Sequence, residues 1–397
     1  MNSREGQRFI ALDAWRGIAA LLVALYRLEA DGFLHGLQLI QNAWLFVDFF
    51  FVLSGFVIAH AYLDRIESGS SVRVFVIRRF GRVWPLHAVL LFVFVFIELA
   101  RFAFAVMKGD PSKTFVDGKA PITILWDLML VQAIGFTGTT LWNTPAWSIS
   151  TEFWTYIVFA ILCLGGRKVV MLAAPAIVAS GLWVVGSFSP NGMDTTFQFG
   201  FARCLAGFFT GVMVLMLWRR YFRTLVLGND IATLLEAAAI TIVGAFVATV
   251  GRSQWTLLAP FVFAMIVIVF AFQRGRISQA LASGIGRLLG DLSYSIYMTA
   301  LLVSLAFNKA PVVISTKIGH PVATAPHIGA GNPHTNFDLG PTWLNDAYTL
   351  LYLAVVIMVS WVTFRCIEVP ARNWFNQNAS KAFWPFNNIA ARDKRLV

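Results

Sequence analysis

Apolar residues fall into ten long runs separated by polar, glycine-bearing or proline-bearing stretches. The runs cover 11–30, 44–61, 83–107, 147–164, 169–187, 203–218, 231–250, 256–272, 288–308 and 346–366. A bilayer core takes about 17–25 residues of helix, so each run predicts a membrane-spanning helix. An eleventh stretch, Ile122–Phe136, is shorter and contains Asp127 and Gln132. Its length suits a re-entrant or interfacial helix better than a span. Charge parity supports that choice. With ten spans and the N-terminus inside, the inner segments hold 20 Lys and Arg and the outer ones 6. This is the asymmetry of the positive-inside rule. An eleventh span would flip every later loop and place Arg219, Arg220, Arg274 and Arg276 outside. The expected fold is an all-α polytopic membrane helical bundle of about ten transmembrane helices with one re-entrant or interfacial helix.

Composition narrows this further. The chain is 58% hydrophobic and 13% charged, whereas soluble domains carry about 25% charged residues. The net charge of +11 belongs mostly to inner loops and fits anionic lipid. No basic–aromatic pattern points to nucleic acid. Cys163, Cys204 and Cys366 lie in apolar runs without a CxxC spacing, so neither a disulfide framework nor a metal site is expected. Arg16 interrupts the first apolar run and no small-residue cleavage site follows, so the first run reads as a retained span. One transmembrane domain is expected over 1–375, with a basic cytoplasmic tail at 376–397. The last outer loop, 309–345, holds His320, His327 and His334 and is long for a segment without structure of its own.

Charged groups inside the spans supply the candidate chemistry, because such groups usually mark a pathway or site. Arg16 and Arg27 are eleven residues apart in the first span. A helix brings them to about 16 Å and only about 20° out of line. Snorkelling to the two headgroup layers is the structural alternative. Asp48, near the outer end of the second span, is level with Arg27, and a pair between them is the plain structural expectation. Ser54-Gly55 allows close helix approach. Arg78, Arg79 and Arg82 share a helix face at the inner entrance of the third span. They can grip phosphate oxygens or merely anchor topology. Ser148, Glu152 and Tyr156 form an i, i+4, i+8 stripe in the fourth span, beside Trp147. Glu152 lies about 10 Å into that helix, where a carboxylate needs a partner. Arg27 belongs to the same outer half. Tyr294 and Tyr297 are neighbours on one face of the ninth span. Pro370 follows the tenth span and can end it.

Six stretches, in order, carry a resemblance: LDAWRGIAALLVALY, VDFFFVLSGFVIA, RRFGRVWP, NTPAWSISTEFWTY, GDLSYSIY and IEVPAR. Together they resemble the acyltransferase 3 family of integral-membrane O-acyltransferases, over roughly 9–375. The resemblance implies transfer of an acyl group, often acetyl, from cytoplasmic acyl-CoA to a hydroxyl of an extracytoplasmic glycan or related acceptor. It implies acyl-CoA as co-substrate without a tightly bound cofactor, and a bacterial inner membrane with both termini cytoplasmic. Arg16 matches the arginine of the family's first-span R-x10-H motif. Arg78, Arg79 and Arg82 match its inner arginine cluster, linked to acyl-CoA handling. Glu152 matches the acid of W-S-x-x-x-E.

Two positions depart from the pattern. The first-span histidine is Arg27 here, and the histidine that commonly follows S-Y-x-x-Y is Ala300. An arginine stays protonated and cannot take a hydroxyl proton, though it can stabilise an oxyanion. Three accounts fit these residues. Glu152 serves as base with Arg27 as electrostatic partner. His35 of the first outer loop reaches back to the site. Or the chain is a non-catalytic relative with a binding or scaffolding role. Under the first account Arg16, Arg27 and Glu152 are catalytic. Arg78, Arg79 and Arg82 then bind the donor, while Asp48, Trp147, Ser148, Tyr156, Tyr294 and Tyr297 contact the acceptor. A transporter or flippase using the same polar interior is the remaining class.

Overall fold

Each predicted apolar run forms a helix in the computed structural model, which describes residues 8–116, 118–135, 138, 142–318, 323–327 and 334–381. The helices used below are α1 (Ile10–Tyr26), α2 (Phe46–Tyr62), α3 (Gly69–Met107), α4 (Pro121–Leu128), α5 (Ala146–Leu164), α6 (Gly166–Phe188), α7 (Gly200–Leu217), α8 (Asn229–Val250), α9 (Ala259–Ala271), α10 (Gly284–Ile318), α11 (Thr342–Thr363) and α12 (Val369–Asn378). Among the described residues nine helices are long and apolar enough to cross a membrane. α1, at 17 residues, is at the lower limit of about 17. These are the ten predicted spans. α4 has eight residues, about 12 Å of helix, so it cannot cross a core about 30 Å thick.

Lipid tails are as apolar as leucine, so helices in a membrane associate through close packing and small residues rather than through water exclusion. Two seams show this. In the first, α1 lies along α10 (Gly17 against the Leu289 backbone, Gly290 against the Asp13 carbonyl). In the second, α2 lies along α7, with Gly55 against the Phe208 carbonyl and Gly211 against the Val52 carbonyl. A methyl group at either α2–α7 glycine would collide with backbone. Ser54-Gly55 thus allows the close approach expected of it.

Three boundaries that bear on the site differ from the sequence reading. α1 ends at Tyr26, not Ala30, and Arg27 caps it with its N–H on the Ala24 and Leu25 carbonyls. α3 is 39 residues long, about 58 Å. It starts at a capping box in which Ser68 and Ser71 satisfy each other's end of the helix. Arg78, Arg79 and Arg82 therefore ride on the rod itself, with Pro85 inside it. Pro370 does not end the tenth span. A π turn, Phe364–Glu368, joins α11 to α12, and Pro370 sits in the first turn of α12, where no N–H is needed.

The 309–345 loop has structure of its own. α10 runs on to Ile318, and strands β1 (Ala323–His327) and β2 (His334–Asp338) form an antiparallel hairpin with Thr324 opposite Phe337. Phe337 is buried against Tyr348. Its N–H donates to the Glu29 carbonyl at 2.9 Å, and its carbonyl accepts from Asp31 at 3.0 Å. The hairpin is thus bolted to the segment just after Arg27. His327 and His334 are register partners at its far end; His320 lies outside the described residues.

Candidate active site

Glu152 places a carboxylate two turns into α5, and the stripe expected from its spacing is present. The Tyr156 hydroxyl donates to Glu152 Oε1 at 2.6 Å and lies 3.0 Å from Ser54 Oγ on α2. Ser148, one turn earlier, is 2.9 Å from the Tyr297 hydroxyl of α10, and both reach the Pro145 carbonyl at 3.1 Å. The Pro145 carbonyl, at the start of α5, also accepts from the Ser148 N–H at 3.3 Å. Among the described residues no cation approaches Glu152 within 4 Å.

Arg16 enters from the middle of α1. Its Nε donates to Ser293 Oγ at 2.9 Å, and a terminal nitrogen reaches the Gly290 carbonyl at 3.3 Å and Asp13 at 3.2 Å. The glycine seam between α1 and α10 makes these contacts short enough to form. Arg79 donates to the Tyr62 hydroxyl at 3.3 Å and stacks over its ring. Arg82 donates no hydrogen bond to the protein among the described residues. Its ion-pair contact among the described residues is Glu368, at 3.8 Å. Tyr294 donates to the Val83 carbonyl, tying α10 to α3.

These side chains line one cavity of about 120 Å³. That is well above the roughly 10–15 Å³ a cavity needs to admit one water, so it has room for several. Arg16, Arg79 and Arg82 face into it with Ser148, Glu152, Tyr156, Ser293, Tyr294 and Tyr297. The other wall is apolar and comes from α2, where Val47, Phe50, Phe51, Leu53, Val57 and Ile58 recur at helical spacing. Three guanidiniums face one carboxylate, so the cavity favours an anionic ligand with an apolar portion.

Other candidates fall elsewhere. Asp48 does not pair with Arg27 and does not line the cavity. Arg203, from the first turns of α7, clasps it with two hydrogen bonds of 2.9 and 2.6 Å. The glycine seam brings α7 against α2, so Arg203 reaches Asp48 first. Trp147 is also outside the cavity: the Arg203 guanidinium lies over its ring at 5.2 Å and over the Trp44 ring at 5.5 Å. These residues make a buried clamp rather than an acceptor surface. Arg27 does not line the cavity and forms no ion pair within 4 Å among the described residues. Its Nε is buried without a hydrogen bond, and its carbonyl accepts from Asn308 at 3.3 Å. Arg78 shares the arginine rod but does not line the cavity. His35 is buried, with Nε2 3.2 Å from the Leu25 carbonyl, so it packs against the end of α1 rather than entering the site. Ser293, Arg203 and Glu368 went unmarked in the sequence reading. The last of these stood in the quoted IEVPAR stretch, and a carboxylate next to an apolar run was its only signal.

Comparison with known proteins places the chain. Residues 9–365 match the family described as "Acyltransferase domain". The chain is similar to "Protein 2 in picA locus" of Rhizobium radiobacter, with 30% identity over 193 residues, 44% of this chain and 99% of that protein. It is also similar to "Acyltransferase MdmB" of Streptomyces mycarofaciens, with 36% identity over 126 residues, 31% of this chain and 29% of that protein. No solved structure matches. With its apolar helices and a family match over nearly its whole length, this integral membrane protein belongs to the acyltransferase 3 family and is an acyltransferase for groups other than aminoacyl groups.

Proposed function

We propose that the protein moves an acyl group, acetyl first among them, from acyl-CoA at the basic end of the bundle to a carbohydrate hydroxyl presented at the opposite end. The supporting observation is the single cavity shared by Arg79, Arg82, Arg16 and Glu152. Arg79 and Arg82 meet the phosphates of the donor, since planar guanidinium forks suit phosphate oxygens. The α2 wall covers the acyl chain and pantetheine. The acceptor oxygen attacks the thioester carbonyl carbon while its proton passes to Glu152, which Tyr156 holds in place. Arg16, oriented by Ser293 and Asp13, faces the oxyanion that develops. The C–S bond then breaks, and the proton leaves with the CoA thiol. Among the described residues no cation is in ion-pair contact with Glu152, so it can receive the proton that Arg27 cannot. The bacterial relatives and the basic inner loops support a bacterial inner membrane with both termini cytoplasmic.

The test uses the full chain in proteoliposomes with labelled acetyl-CoA. Wild type is expected to cleave the thioester and pass label to a glycan acceptor, and Glu152→Gln to lose about 10²-fold or more. An inert wild type beside an active Arg27→His variant would overturn the enzymatic reading and leave a binding role. Acceptor flux without acyl transfer would make the protein a transporter.

A further inference from the structure

Glu368 takes no part in the steps above, yet it is 1% exposed. The inward stripe of α11 runs through Asn345, Thr349, Tyr352, Val356 and Ser360, in steps of three or four. At about 100° per residue, 363 and 367 fall within about 20° of the stripe's mean direction and 364 within about 80°, whereas 368 falls about 120° away. Positions 363, 364 and 367 are only half-buried, and Glu368 is buried instead. The π turn at Phe364–Glu368 is the cause: one widened turn delays the stripe by a residue.

The delay delivers a carboxylate to a defined address. Ser295 of α10 donates to its Oε2 at 3.0 Å. The remaining oxygen, Oε1, has no hydrogen bond. It faces Arg82 at 3.8 Å and Arg372 at 4.0 Å. Glu368 does not line the cavity; Arg82 does. The attraction therefore acts on Arg82 from outside the cavity without a hydrogen bond, and among the described residues the N–H donors of Arg82 stay uncommitted to protein.

We propose that Glu368, set by the π turn and held by Ser295, is a positioning residue that keeps Arg82 presented to the cavity for a phosphorylated donor. This rests on Arg82 belonging to the donor site. Without the carboxylate the guanidinium is free to swing toward the carbonyls and ring faces around it, and the donor phosphates must then recapture it. Donor binding suffers while the reacting atoms, held by Arg16 and Glu152, do not.

The experiment measures acyl transfer by the reconstituted full chain against acetyl-CoA concentration, for wild type, Glu368→Gln, Glu368→Asp, Ser295→Ala, Arg82→Ala and the Glu368→Gln/Arg82→Ala double variant. Glu368→Gln is expected to raise KM for acetyl-CoA by roughly tenfold, the scale of one charge-assisted contact, with kcat changed less than about twofold. Glu368→Asp keeps the charge and should restore most of the affinity. Ser295→Ala leaves the charge in place and should raise KM by roughly threefold, so the proposal is testable even if the glutamine variant does not fold. The double variant should be no worse than Arg82→Ala alone, because both changes remove one function. A fall in kcat at unchanged KM, or additive losses in the double variant, would overturn the positioning role while leaving the donor site intact. An Arg82→Ala variant with wild-type KM would instead remove the donor-site reading, and this inference with it.

Discussion

At the scale of single residues, the bundle holds two kinds of buried charge. Asp48 and Arg203 are closely paired, since two short hydrogen bonds join them, a third runs from Arg203 to the Thr195 carbonyl, and two indole rings lie against the guanidinium. Such a pair resists loss of one partner more than it stabilises the whole, because the survivor stays buried and unpaired. Asp48→Ala is therefore expected to cost about 3–5 kcal/mol, read as a large fall in the unfolding midpoint of detergent-purified protein. A midpoint within a degree or two of wild type would show the clamp to be dispensable. Glu152, Arg16 and Arg82 are the other kind, with charge left facing space. Tyr156→Phe removes only the hydroxyl that steadies Glu152. It should cost acyl transfer about tenfold, the worth of one charge-assisted hydrogen bond, against about 10²-fold or more for Glu152→Gln. Equal losses for the two would mean that the tyrosine itself moves the proton.

Among elements, the α2–α7 seam does two jobs. It brings Arg203 to Asp48, and it turns the apolar stripe of α2 into one wall of the cavity. Gly55→Leu and Gly211→Leu each push a side chain into the facing backbone. Overpacking of this kind costs about 1–3 kcal/mol or more. Both variants are expected to lower the yield of monodisperse protein and to reduce activity in what remains, although neither glycine touches the ligand space. Full activity in either would show that the seam can open without disturbing the site. The stripe of Ser148, Glu152 and Tyr156 was legible beforehand, because an i, i+4, i+8 spacing lies within one helix. Arg16 with Ser293, Asp48 with Arg203 and Ser295 with Glu368 were not legible. Their partners stand 277, 155 and 73 positions apart, and nothing local to either residue specifies the other. The π turn that aims Glu368 was hidden for a related reason: apolar periodicity does not report one extra residue in a turn.

Across the whole molecule, we propose ten crossings, an even count that would bring the start of α1 and the end of α11 to the same side of the membrane. Cysteines introduced at exposed Ser112 and Arg274, in a Cys366→Ala background with Cys163 and Cys204 buried, test this. In intact cells an impermeant maleimide should label the first and not the second. Reversed labelling would invert the donor and acceptor faces.

Span number, span order and the polar stripe of α5 follow from the chain's own pattern, since a bilayer admits only helices of a set length and each helix dictates its own faces. Which buried charges neutralise one another and which are left facing a shared cavity depended on helix-to-helix approach. Glycine contacts, a shortened α1 and one widened turn settled it, at distances that no periodicity encodes.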